Sequence, residues 1–215
     1  MVTLQLQQLD IPPGQHLRLH NITWADFEAI LDELGEHRSH RIAYQNRILD
    51  IMAPLPEHED DKEIIGDLLK ALLEELDIEF RTLGSTTFKN PQTMVGIEPD
   101  QCFYILHEPA IRGKKRLDLT IDPPPDLAIE IDITRRTHPD TYAALGVPEL
   151  WQRGNETIQI YQLQNGQYIP VSESPSFPGW PLSTEIPKYV EQSRVDGRNA
   201  MMRSFRQWVR DRLAS

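Results

Sequence analysis

The chain is 215 residues long, with 39% hydrophobic and 26% charged residues, which fits one globular domain with a core of its own. No run approaches the roughly 18 consecutive apolar residues of a membrane span. Residues 1–14 lack a basic segment ahead of an apolar one, so no secretory signal is expected. The single cysteine, Cys102, excludes an intramolecular disulfide and fits a reducing cytoplasm, and a net charge of -11 means that any grip on nucleic acid needs a local basic patch.

Residues 1–20 are polar and proline-interrupted and read as an arm or irregular lead-in, leaving 21–215 as a single domain. Thr23 then opens a helix, with Asp26 in the position of a capping-box acid. Phe27, Ile30, Leu31 and Leu34 follow at helical spacing, and Gly35 ends the helix. Arg41–Tyr44 and Ile48–Met52 read as a hairpin turning at residues 45–47. After Pro54 and Pro56 a second helix is expected from about Glu59 to Leu76, with Ile65, Leu68, Leu69, Leu72 and Leu76 as its buried stripe.

Phe80–Phe88, rich in threonine and aromatics, reads as a strand. Two short apolar runs follow, 101–106 after Pro99-Asp100 and 126–133 after three prolines, with a polar loop from His107 to Pro125 between them. Thr137–Leu145 reads as a helix closed by Gly146. Strands are expected at 149–153, 157–163 and 168–171, the last two joined at Asn165-Gly166. Val195–Leu213 carries Met201, Met202, Phe205, Val209 and Leu213 on one side and reads as a C-terminal helix, the stripe serving as core or dimer surface. Arginines at 203, 206, 210 and 212 suit its C-terminal dipole. This order predicts an α/β (or α+β) fold in which a central mixed sheet is flanked by helices.

Glu130 interrupts an otherwise apolar strand, and a carboxylate there is costly unless it is paired or binds a metal. Asp126, Glu130 and Asp132 share one face of a regular strand. Glu130 and Asp132 lie about 6.6 Å apart along it, a spacing that brackets a divalent ion, whereas Asp126 is about 13 Å from Glu130 and reads as a strand-start residue. Asp100 heads the neighbouring apolar run and is the candidate second carboxylate. Oxygen ligands of this kind suit magnesium or manganese, and no Cys/His spacing suggests zinc. The bland alternative is that Glu130 pairs with Arg135 or Arg136 and that Asp100 caps a turn.

Pro99-Asp100 followed by Glu130-Ile131-Asp132 resembles the PD-(D/E)XK nuclease superfamily. The stretches 96–105, 122–134 and 142–151, the last ending Gly-Val-Pro-Glu-Leu-Trp, resemble more narrowly the Uma-type putative restriction endonuclease family of bacteria. The resemblance runs roughly from the hairpin to Leu163. It implies a restriction-endonuclease-like fold and magnesium- or manganese-dependent hydrolysis of DNA, with Asp100, Glu130 and Asp132 holding the metal. By superfamily analogy it also implies a homodimer.

One departure stands out. The superfamily has a lysine two residues after the strand Glu, and Asp132 stands there. A basic group then arrives from elsewhere, with Lys114, Lys115, Arg135 and Arg136 as candidates and Arg136 carried forward as catalytic. Otherwise the chain is a catalytically degenerate nuclease fold that binds nucleic acid or protein. Glu59 and Glu63 read as solvent-facing charges. His58 and His138, at helix starts, have side chains suited to proton transfer near neutrality but read first as local hydrogen-bonding groups, and Trp151 reads as core.

Overall fold

The computed structural model describes residues 9–35, 40–84, 86–131, 139–154 and 157–214. Its first strand, β1 (His16–His20), lies within the expected irregular lead-in and pairs antiparallel with β3 (Ile48–Met52). That correction has a sequence basis: His16-Leu17-Arg18-Leu19-His20 alternates polar and apolar residues, the period-two pattern of a half-exposed strand, and the prolines at 12 and 13 end short of it. Helix α1 (Trp24–Leu34) has the expected capping box, with the Asp26 amide donating to Thr23 Oγ1 and the Thr23 amide donating to Asp26 Oδ2. The hairpin of β2 (Arg41–Gln45) and β3 turns at Asn46 and Arg47, both with positive φ.

Strands β5 (Phe88–Asn90) and β6 (Val95–Ile97) complete a five-stranded antiparallel sheet in the order β1-β3-β2-β6-β5. Helix α1 covers one face of this sheet, where Phe27, Ile42, Tyr44, Leu49 and Ile51 form a core cluster. A Cβ at Gly96 would stand 2.5 Å from the Phe27 ring, so only glycine lets β6 pass beneath α1.

The second sheet has six strands in the order β11-β10-β9-β8-β7-β4, with β4 (Arg81–Thr82), β7 (Gln101–Tyr104), β8 (Leu127–Ile131), β9 (Glu149–Arg153), β10 (Ile158–Gln164) and β11 (Gln167–Val171). It is mixed, because β8 and β9 are parallel and the other pairs are antiparallel. The crossover between β8 and β9 carries α4 (Pro139–Leu145), which packs against β2 and β6 of the first sheet. The single strand expected at 80–88 is two short strands in different sheets, so the chain passes from one sheet to the other at 83–87 and returns at 98–100. A short helix, α3 (Glu108–Ile111), sits in the polar loop after β7.

Helix α2 (Pro56–Glu75) starts three residues earlier than expected, at a proline that fits the first helical turn. Its stripe of Ile65, Leu68, Leu69 and Leu72 is wholly buried, each side chain contributing about 1.5–3 kcal/mol. It packs on the mixed sheet beside α5 (Leu182–Asp196) and α6 (Arg198–Leu213). Helix α5 was not foreseen: Pro187 sits inside it, while Leu182, Ile186 and Val190 still form a buried i, i+4 stripe. Gly197, at φ 84°, separates α5 from α6, so the expected start at Val195 moves to Arg198. Met201, Phe205 and Val209 are core, whereas Leu213 is exposed.

Candidate active site

Asp100 sits where the chain passes from β6 of the first sheet to β7 of the second, and both sheets therefore fix it. Gln101 pairs with Ile129 and Cys102 with Ala128. Extended by one residue, this register sets Asp100 opposite Glu130 on adjacent strands. The Ile131 amide donates to Asp100 Oδ2 at 2.8 Å and ties the end of β8 to the Asp100 carboxylate. Alternation turns Ile129 and Ile131 toward α2 and turns Ala128 and Glu130 toward α4. There the buried Tyr142 hydroxyl donates to Glu130 Oε1. Burial first, then the charge of Glu130, pushes the Tyr142 hydroxyl well above the usual phenol range, with Asp100 adding to the effect. Tyr142 thus holds Glu130 directly and lies within the field of Asp100.

Asp100 is only 4% exposed. Burial raises its pKa; the Ile131 amide and Arg41 oppose that rise, Glu59 adds to it, and Lys62 opposes it. Arg41 Nε lies 3.5 Å from Asp100 Oδ1, and Arg41 Nη2 donates to Glu59 Oε1 at 3.1 Å. Lys62 Nζ donates to Glu59 Oε2 at 2.6 Å. Glu59, read from the sequence as a solvent-facing charge, is therefore tied into the cluster. Glu63, 61% exposed, is the solvent-facing charge expected.

Asp132, Arg135, Arg136 and His138 lie outside the described residues. The expectation that Lys114 or Lys115 enters the Glu130 cleft is not met. Lys114 pairs with Asp122, and Lys115 is exposed. Their loop leaves the C-terminal end of β7, four residues and about 13 Å of strand from Asp100; in an antiparallel pair, the connecting loop and the Asp100–Glu130 end are opposite ends. His58 is buried on α2, and among the described residues its Nε2 has no hydrogen-bond partner.

Asp126 is the strand-start residue expected, accepting from the amides of Ile105 and His107 at 2.7 and 3.0 Å. Trp151 is core, with Nε1 donating to Glu149 at 2.5 Å. Burial pushes the Cys102 thiol up to about 12, and it donates to the Leu83 carbonyl, so it is no nucleophile. Arg41, Lys62 and Tyr142 are the site residues that the sequence reading did not single out. The only signals were the Glu59–Lys62 spacing on α2 and the position of Tyr142 at the head of the 142–151 segment. Among the described residues, no group of three or more His, Cys, Asp or Glu side chains is arranged to hold a metal ion.

A mixed sheet flanked by helices, with Asp and Glu facing each other on adjacent strands, is a nuclease-type α+β fold. It is similar to the crystal structure of a putative nuclease belonging to DUF820 from Anabaena variabilis ATCC 29413, with a TM-score of 0.54 and 15% identity over 79% of this chain and 98% of that one. At that identity the likeness speaks for the fold. The model of the Uma2 family, described as "Putative restriction endonuclease", matches residues 24–192, and the chain belongs to that family. No curated protein matches it. No described helix is long and apolar enough to cross a membrane.

Proposed function

We propose that the protein is a magnesium- or manganese-dependent DNA endonuclease. What supports this reading is the β7–β8 register, which, extended by one residue, sets Asp100 opposite Glu130, with the Tyr142 hydroxyl donating to Glu130. The donor set fits a hard divalent cation: carboxylate oxygens at one end of a strand pair, one of them buried. Asp100 and Glu130 would hold the ion, with Asp132, outside the described residues like Arg136, as a third carboxylate. A bound cation supplies Lewis-acid charge to the scissile phosphate and a water more acidic than bulk water.

The chain's own groups do the positioning. The Ile131 amide fixes Asp100, the Tyr142 hydroxyl orients Glu130, and Arg41 balances Asp100 and Glu59. A second reading, a catalytically degenerate nuclease fold that binds nucleic acid or protein, draws support from the net charge of -11 and from Asp132 in the lysine position. The arginines of α6 do little against that charge, since Arg206 and Arg210 pair with Glu74 and Glu75.

Plasmid cleavage by the full chain, with magnesium, manganese or EDTA, separates the readings. The endonuclease reading expects metal-dependent cleavage that Asp100→Asn and Glu130→Gln abolish. It also expects metal to raise the parent's melting temperature, by mass action on the folded state, and Glu130→Gln to lose most of that rise. DNA retention without cleavage under every metal condition overturns it in favour of the binding module.

A further inference from the structure

Lys62 lies in the second turn of α2 with 8% of its side chain exposed, a rare burial for a lysine. Its ammonium is 2.6 Å from Glu59 Oε2 and 3.7 Å from Glu63 Oε1. Glu59 in turn holds Arg41, and Arg41 reaches Asp100. Lys62 thus ends a chain of alternating charges that begins at the site, and its own charge is felt at Asp100. The Lys70–Asp67 pair on the same helix has the same i, i+3 spacing, but Lys70 is 31% exposed and Asp67 also binds Arg198 at the surface. Ordinary helix pairing therefore accounts for Lys70 and leaves the inward seat of Lys62 unexplained.

Among the described residues, the other cations nearby are committed. Arg41 divides its rigid fork between Glu59 and Asp100. Arg153 and Arg194 share Asp61. Lys62 differs in kind, with three donors on a flexible stem, and one of its two acid contacts, Glu63, is distant and largely exposed. A dianionic phosphorane-like transition state accumulates charge that a nearby ammonium stabilises most where water is excluded.

We infer that Lys62, presented from helix α2, is the catalytic ammonium that the strand lacks at Asp132, and that it binds the non-bridging oxygen of the scissile phosphate. The inference rests on the nuclease reading above. In the step, a water oxygen forms a bond to phosphorus and the bond from phosphorus to the leaving sugar oxygen breaks. The water loses one proton to solvent, and the leaving oxygen takes one from solvent. Lys62 keeps its protons and acts by charge and hydrogen bonding.

The test compares the parent, Lys62→Met, Lys62→Arg and Glu130→Gln as full chains. It reads single-turnover plasmid cleavage with magnesium, DNA affinity by anisotropy with calcium, and the magnesium-induced change in melting temperature. Lys62→Met is expected to slow cleavage about 100–1,000-fold, to keep DNA affinity within about threefold of the parent because the lost contact belongs to the transition state, and to keep the magnesium effect on melting. Lys62→Arg recovers part of the rate, whereas Glu130→Gln loses cleavage and the magnesium effect together.

A Lys62→Met protein that cleaves within about threefold of the parent overturns the inference and leaves the nuclease reading standing. So does one that loses the magnesium effect along with cleavage, since Lys62 then only supports the carboxylates. If Lys62→Met fails to fold, Lys62→Gln, which can still donate to Glu59, decides in the same terms. A parent without metal-dependent cleavage overturns the nuclease reading and this inference at once.

Discussion

Asp126 and Asp100 stand at opposite ends of the same β7–β8 ladder, and both are buried. Asp126 accepts from two backbone amides, and His107 Nδ1 lies 2.8 Å from its other oxygen. Among the described residues Asp100 accepts from the Ile131 amide, has a guanidinium nitrogen of Arg41 at 3.5 Å, and lies in the field of Glu59 and Lys62. Glu149, on the next strand, is a further case of full satisfaction: Ser174 Oγ, Ser176 N, Ser176 Oγ and Trp151 Nε1 all donate to it. A buried carboxylate with filled lone pairs fastens the fold. One held by fewer bonds, with cations and an acid around it, keeps lone pairs open to a further positive ligand. In this molecule the difference separates structural acids from the candidate site.

That contrast can be broken by substitution. The largest loss is expected for Glu149→Ala, which strands four donors in the core and should cost about 3–4 kcal/mol in urea unfolding. A loss below about 1 kcal/mol would show that the serine loop relaxes around the gap and that Glu149 is no fastener. Asp126→Asn should cost about 1–2 kcal/mol, because it removes the charge on which two amides and His107 converge. Asp100→Asn, which keeps an acceptor for the Ile131 amide and removes a charge that burial disfavours, should stay within about 1 kcal/mol of the metal-free parent in either direction. If Asp100→Asn proves costlier than Asp126→Asn, the distinction fails.

The smallest effect concerns an acid at the surface. The hydrogen bond from Arg210, opposed by partial desolvation and aided by Arg206, holds the Glu75 carboxyl below its usual range. A lowered folded pKa contributes stability above the unfolded value, and that contribution is lost as pH falls through the folded one. The paired arginines are partly exposed and screened, so Glu75→Gln should cost only about 0.5 kcal/mol at neutral pH. Urea midpoints of parent and variant should converge as the pH drops below the ordinary carboxylate range. A gap that persists there would mean that Glu75 acts through packing between α2 and α6 and not through its charge.

Local periodicity made α1, the hairpin, α2, the β9–β11 strands and most of α6 legible, because each repeats its apolar residues at the spacing of its own element. Glu130 stood out as a candidate for a related reason, since charge inside an apolar run is conspicuous in one dimension, and Asp100 stood out as the carboxylate that heads the neighbouring run. What the sequence by itself determined is therefore a mixed α/β chain with carboxylates on two short strands.

Only the tertiary structure decided that the chain passes twice between two sheets, at 83–87 and 98–100, and that this passage brings Arg41 from one sheet to the Asp100 carboxylate on the other, with Glu59 of α2 on Arg41 and Lys62 on Glu59. No spacing rule connects position 41 to position 100. Their meeting depends on which strand edges pair and on how α2 lies over the mixed sheet, and those choices are set by burying Ile65, Leu68 and Phe103 together. The same topology removed Lys114 and Lys115 from the site, because an antiparallel pair puts its connecting loop at the end away from Asp100.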